Sequence, residues 1–193
     1  MPAEELSATI QSGDSCALRS AVRRDAPEIE QLVRRSGVLD SNSCYAYLLL
    51  CDHFRDTCRV AEHATGSRNG HGTIAGFVAA YIPPNKPDAI FVWQIGVARW
   101  AQRRGLGKRL LSDLIDAPAC RNVRYLEATV TDSNVASRRL FTAFAEEMWA
   151  DIQWLEGYSS CDFGDDDREG CHEAERLCLI GPFPQRSSIY EEA

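Results

Sequence analysis

The sequence predicts an α/β fold, a single domain in which a mixed sheet is flanked by helices. Three observations point there. Strand patterns crowd the first half, helix and strand patterns alternate after the fourth strand, and no internal repeat divides the chain. The 193 residues suit one globular domain with a full core, and 45% hydrophobic with 25% charged residues is close to the soluble average.

Residues 1–15 are polar and aperiodic and are expected to form a flexible arm before a domain spanning 16–183. Residues 16–22 read as the first strand. Asp25-Ala26-Pro27 then opens a helix, with a cap residue followed by proline in the first turn and an apolar stripe at Ile29, Leu32 and Val33. A second capping cluster, residues 40–43, precedes a short helix over 45–50 that is expected to be buried. Residues 58–62 form a strand and 66–72 a turn-rich hairpin loop. A long strand over 74–82 is stopped by Pro83-Pro84, and a fourth strand covers 90–97.

A helix over 105–115 follows, its stripe at Leu106, Leu110, Leu111, Leu114 and Ile115 recurring every 3.6 residues. A fifth strand spans 123–130. The next helix, 134–148, turns Leu140, Phe141, Phe144, Ala145 and Met148 to one side. Residues 162–170 are a solvated acidic loop, 177–180 the last strand, and 184–193 a tail.

Charge and composition exclude several function classes. The net charge of −7 disfavours nucleic acid, whose phosphates need a dense basic surface. No apolar run is long enough for a membrane span, and the acidic N-terminus lacks an export pattern, so cytoplasmic residence is expected. Eight cysteines without an export signal read as reduced thiols. Cys44, Cys51 and Cys58 are spaced by seven, as are Cys171 and Cys178, which is no zinc spacing, and no metal is expected.

Residues 102–109, Gln-Arg-Arg-Gly-Leu-Gly-Lys-Arg, stand between the fourth strand and its helix. A strand-to-helix junction presents unpaired N–H groups, and glycines let a pyrophosphate approach them. Arg103, Arg104, Lys108 and Arg109 add positive charge. A P-loop would need glycine at 102, and a dinucleotide fingerprint would need it at 110; Gln102 and Leu110 exclude both. The segment resembles the Q/R-x-x-G-x-G/A loop of the GNAT acetyltransferases, and the resemblance extends over roughly 18–182.

That resemblance implies a mostly antiparallel GNAT sheet splayed between strands four and five, with acetyl-CoA as cosubstrate. It places the pyrophosphate on backbone N–H groups of Arg103, Arg104, Gly105, Leu106, Gly107 and Lys108. The pantetheine arm is expected to pair with backbone near Ile95, Val97 and Arg99. Gly96 is consistent with a bulge that opens the slot. Asn134 matches a pantetheine-contacting asparagine, or is a helix cap. Ser137, Arg138 and Arg139 meet the adenosine end, or form a solvated helix face.

Four further blocks, at 39–49, 91–94, 118–121 and 180–183, are similar to the diaminobutyrate acetyltransferases, the first enzymes of ectoine synthesis. This implies transfer of acetyl to the side-chain (N4) amine of L-2,4-diaminobutyrate, a role in osmotic stress, and a homodimer. Asp40, Asn42, Tyr45, Trp93, His172 and Glu175 are the implied substrate residues, with Glu173 an alternative acid. Asp40 can also serve as a cap, Trp93 as core, and His172 as a structural histidine. Other small amines, polyamines, protein N-termini, and a non-catalytic acyl-CoA-binding module stand as alternatives.

The expected reaction is direct attack by the free amine, with the Val97 N–H stabilising charge on the acyl oxygen. An ammonium titrating near ~10 must first lose a proton, so a base is needed. Glu127, beside Thr129 on one strand face, and Glu175 are both candidates. The tyrosine that many family members use to protonate the thiolate is replaced at Leu140-Phe141, and direct transfer leaves Cys44 without a covalent role.

Overall fold

The structure, a computed structural model, describes residues 16–64, 72–164 and 172–184. The expected arm at 1–15, most of the hairpin loop at 66–72, most of the acidic loop and all but the first residue of the tail lie outside the described residues, as does Cys171. Among the described residues no helix is long and apolar enough to cross a membrane.

The chain runs β1 (Cys16–Ser20), α1 (Ala26–Ser36), α2 (Cys44–His53), β2 (Cys58–His63), β3 (Thr73–Tyr81), β4 (Ala89–Val97), α3 (Leu106–Ile115), β5 (Tyr125–Thr131), α4 (Val135–Glu147), β6 (Ile152–Tyr158) and β7 (Glu175–Ile180). The strands form one sheet in the order β1-β2-β3-β4-β5-β7-β6. Every neighbouring pair is antiparallel except β4 and β5, which are parallel.

Apolar side chains leave the sheet on both faces. On one face α3 (Leu110, Leu111, Leu114) and α4 (Phe141, Phe144) cover Val78, Ile90, Leu126 and Ile180. On the other, α1 (Ile29, Leu32, Val33) and α2 (Tyr47, Cys51) cover Val60, Phe77 and Ala79. The stripes expected in α1 and α3 are the buried residues found there. Gly37 ends α1 in the left-handed conformation, and Ser43 caps α2 by accepting the Ala46 N–H.

Three expectations are corrected. The helix read at 45–50 runs Cys44–His53 and buries only Tyr47 and Cys51. A seventh strand, β6, joins the sheet edge beyond β7; its inner face carries only Ile152 and Trp154, too short an alternation to stand out. The β4 bulge is at Trp93 and not at Gly96. Ala79 pairs with Gln94 and Ala80 with Val92, leaving Trp93 without an opposite residue, whereas Gly96 pairs regularly with Phe77. Gly96 is needed for room: an added Cβ would lie 2.8 Å from the Phe77 ring, 3.0 Å from Leu39 and 3.2 Å from Leu32.

Among the described cysteines none forms a disulfide, and Cys16, Cys51, Cys58, Cys120 and Cys178 are buried. Burial pushes the thiol pKa values of Cys51 and Cys178 up to about 12 and that of Cys58 up to about 11. These are core residues that stay protonated.

The crowding at Gly96 sets a stability test. Gly96→Ala is expected to cost roughly 1–3 kcal/mol through overpacking. Urea unfolding should show a lower midpoint with an unchanged slope.

Candidate active site

Strands β4 and β5 share only three residue pairs, Ala89 with Tyr125, Ile90 with Leu126 and Phe91 with Glu127. Past that point they part, and a cleft of about 870 Å³ opens between them. The direction of the β4 main chain follows from its other neighbour. Ala98 donates to the Ala75 carbonyl on β3 (2.8 Å), and alternation then turns the N–H and C=O of Val97 and Ile95 away from β3, towards the cleft. Gln102 Nε2 donates to the Val97 carbonyl (3.0 Å), tying the next loop to this edge. Arg99 lies past the strand end in a short 3₁₀ turn, its guanidinium on the Ser36 carbonyl (3.3 Å), so the expected ladder of main-chain donors stops at Val97.

The 102–109 segment sits where the sequence reading placed it. Arg103 and Gly105 adopt left-handed backbone (φ 61° and 73°), which brings the chain sharply into α3. The Arg109 N–H reaches the Gly105 carbonyl (3.1 Å), leaving the N–H groups of Leu106, Gly107 and Lys108 without intrahelical acceptors at the positive end of the helix dipole. Gly105 has open space around it. Gly107 lies under Leu140, where a Cβ would come within 3.1 Å, so this glycine also lets α3 approach α4. Lys108 is ion-paired with Glu147, and Arg109 donates to the Cys16 carbonyl.

Beside the cleft, Asn134 caps α4 by accepting the Ser137 N–H (3.1 Å); it is a cap and a lining residue at once. Ser137 lines the cleft as well. Arg138 instead pairs with Asp132 and lies over the Trp154 ring, and with Arg139 borders a separate open hollow on the outer side of α4.

The α1/α2 face of the cleft collects Asp40, Asn42, Trp93, His172, Glu173 and Glu175. Potential ligand atoms of Asp40, His172 and Glu175 all lie within 4.8 Å of one another, although the residues are 132 to 135 positions apart from Asp40. His172 stacks on Phe163 (3.8 Å between centroids). Its Nδ1 is 3.0 Å from the Glu173 carbonyl, which can only accept, so Nδ1 carries the proton and Nε2 is the acceptor of the neutral ring. Glu173 takes the Ser133 hydroxyl and N–H, and these bonds hold its carboxyl below its ordinary pKa. Glu175, half-buried at the start of β7, is the acid left facing the other two.

Besides Arg99 and Arg139, two residues expected at the amine site or as base do not line the cleft. Tyr45 is 68% exposed on the outside of α2 and does not line the cleft; Tyr47, two positions on, is the buried tyrosine. Glu127 faces the same side as Thr129 but is only 8% exposed at the last paired step of β5. Its carboxylate is held by Lys86 Nζ at 2.8 and 2.9 Å, and it is absent from the cleft wall. The sequence reading missed Tyr47 and Gln94, whose side chains bond to each other and to the Asp40 loop, and the aromatic rim of Tyr81, Tyr158 and Phe163. Burial raises the Tyr47 hydroxyl above its ordinary pKa and keeps it a donor, against the opposing hydrogen bonds of Asn42 and Gln94.

A sheet parted between parallel strands, with free helix N–H groups at one end and converging acids at the other, defines an acyl-CoA-dependent transferase fold. The model of the acetyltransferase (GNAT) family matches residues 26–145. The chain is 43% identical over 166 residues to the L-2,4-diaminobutyric acid acetyltransferase of Bordetella parapertussis, covering 86% of this chain and 84% of that one. It is 38% identical over 179 residues to that of Marinococcus halophilus, covering 93% and 97%. The solved diaminobutyrate acetyltransferase EctA from Paenibacillus lautus, in complex with its substrate L-2,4-diaminobutyric acid and coenzyme A, superposes with a TM-score of 0.81 at 40% identity, covering 91% and 100%. The chain belongs to the GNAT family, among its L-2,4-diaminobutyric acid acetyltransferases.

The Lys86–Glu127 pair tests which acid is free to act. Glu127→Gln is expected to keep kcat within about threefold, because this carboxylate is bound to Lys86 outside the cleft wall. A general base would lose roughly 10²–10⁴-fold. Steady-state thiol release measures the difference.

Proposed function

We propose that this chain transfers the acetyl group of acetyl-CoA to the side-chain (N4) amine of L-2,4-diaminobutyrate, giving N4-acetyl-L-2,4-diaminobutyrate, a step of ectoine biosynthesis. The observation that carries the reading is the convergence of Asp40, His172 and Glu175 beside the parted strands, in a chain 40% identical to an EctA solved with that diamine and coenzyme A.

The residues fit both substrates. Main-chain N–H groups of Ile95 and Val97 are free to pair with an amide-bearing arm. The first turn of α3, from Leu106 to Lys108, offers donors and positive potential to a pyrophosphate, and Arg103, Arg104 and Gly105 shape its approach. Asn134 and Ser137 flank the arm, and Arg139 borders the outer side of α4. Acetyl-CoA supplies the activated acyl group.

On the other side of the sheet, Asp40 and Glu175 supply negative charge, the His172 Nε2 a lone pair, Asn42 an amide, and Trp93 an aromatic wall. Such a set holds one ammonium of a diamine while the other approaches the slot. Glu175 accepts the proton that the reacting ammonium must lose, directly or through water. The amine nitrogen then bonds to the acyl carbon, the carbon–sulfur bond breaks, and the Val97 N–H stabilises charge on the acyl oxygen. As the amide forms, the nitrogen gives up its second proton to water, and the departing thiolate takes a proton from water, since Leu140 and Phe141 offer none. Two carboxylates and an imidazole are also the donor set of a cation site; in this reading the cation is the substrate's ammonium and no metal takes part. A homodimer in the cytoplasm, supporting the response to osmotic stress, completes the proposal.

Purified protein given acetyl-CoA and a panel of amines tests it, with thiol release followed and the product mapped by mass spectrometry. Release with L-2,4-diaminobutyrate, acetylation at N4 and no loss of rate in EDTA are expected. Brisk release with spermidine but none with diaminobutyrate would overturn the substrate. Loss of rate in EDTA, restored by a divalent ion, would turn the Asp40–His172–Glu175 group into a metal site.

A further inference from the structure

Gln94 is 9% exposed, in the middle of a strand whose other buried side chains are apolar or absent. The bulge explains its direction. Ile90 and Val92 point into the α3/α4 core, and beyond the bulge Ile95 and Val97 do so. The parity of the strand has therefore changed, and Trp93 and Gln94 stand side by side on the α1/α2 face. Without the extra residue, Gln94 would be driven into the apolar core.

On that face the Gln94 amide is used at both ends. Its Oε1 accepts the Tyr47 hydroxyl (2.8 Å), and its Nε2 donates to the main-chain carbonyl of Asp40 (3.0 Å). A carbonyl oxygen cannot donate, so only this orientation of the amide satisfies both partners. Tyr47 is 1% exposed, packed edge-on to Phe77 and tilted against Trp93. The relay thus joins α2, the β4 bulge and the loop that carries Asp40. The loop has other anchors: Ser36 Oγ accepts the N–H groups of Val38 (3.3 Å) and Leu39 (3.1 Å), Tyr47 also bonds Asn42, and Asn42 Nδ2 lies 3.4 Å from the Asp40 carbonyl.

We propose that Gln94, oriented by Tyr47, is a positioning residue for the amine substrate: it fixes the backbone of Asp40 so that its carboxylate meets His172 and Glu175. Neither side chain need touch the reacting atoms. The inference rests on the reading of Asp40 as an amine anchor, and it gives the bulge a purpose, since the same extra residue sets the Trp93 wall and the Gln94 brace. It separates the two substrates. The brace acts on the α1/α2 side, whereas the N–H groups offered to coenzyme A are on the β4 edge and at α3.

Isothermal titration of L-2,4-diaminobutyrate into enzyme saturated with coenzyme A, which cannot react, reads the effect without turnover. Gln94→Leu is expected to weaken diamine binding about tenfold, the scale of one lost hydrogen bond with a stranded partner. Tyr47→Phe should weaken it less, and coenzyme A binding should stay within about twofold in both. Tyr47 also bonds Asn42, so the double variant should lose less than the sum of the two single losses, and fully additive losses would overturn the role of Tyr47 in orienting Gln94. Tyr47→Phe keeps the test open if Gln94→Leu fails to fold. Asp40→Ala is the control. If it weakens diamine binding while Gln94→Leu and Tyr47→Phe do not, the brace is wrong and the anchor stands. If Asp40→Ala has no effect, the anchor itself is wrong. Equal loss of diamine and coenzyme A binding in the relay variants would overturn the positioning role.

Discussion

Hydrogen bonding between β4 and β5 stops after Phe91 and Glu127, and the site is built on that interruption. In a sheet, an unpaired edge inside a protein carries main-chain donors and acceptors that need partners. Here β3 takes one side of β4 and β7 takes one side of β5, so the inner edges of both strands beyond the split face a cleft. That cleft passes between the two halves of the core. Its wall includes Phe141 of α4 and, on the α1/α2 face, the gathered acids, while the unpaired N–H groups of α3 lie past the end of β4 and outside that wall.

The two faces divide the chemistry. One supplies backbone donors, which suit phosphates and amides and demand little of the side chains. The other supplies Asp40, His172 and Glu175, which reach one place from a loop before α2 and the approach to β7. The bulge at Trp93 connects the two: it leaves Ile95 and Val97 with their main-chain groups towards the cleft and turns Gln94 to hold the Asp40 loop. Glu173 and Glu127 show that acidity alone does not make a site residue. Each is drawn away by a nearby donor, Ser133 in one case and Lys86 in the other.

Much of this was legible in the sequence, and the exceptions have physical causes. The α1 and α3 stripes and the glycine loop are local signals, and they were read at the correct positions. The strand β6 was not seen because its inner face holds only two apolar residues. Tyr45 is expected at the site and Tyr47 is overlooked because that helix is apolar on nearly all sides; nothing local tells the two apart, and only the neighbours Phe77, Trp93 and Gln94 select Tyr47 for burial. The bulge was assigned to Gly96 because glycine is the usual sign of one, while the actual bulge carries a tryptophan. Glu127 read as a free acid because Lys86 stands 41 positions away. Asp40, His172 and Glu175 were found through resemblance; their proximity is a fact of the fold that no spacing records.

Amide hydrogen exchange of the protein with and without coenzyme A reaches the central claim most directly. Coenzyme A is expected to slow exchange at Ile95, Val97, Gly107 and Lys108, the strand edge and helix turn that the split leaves unpaired. Unchanged rates at all four, with calorimetry showing the ligand bound, would contradict the account.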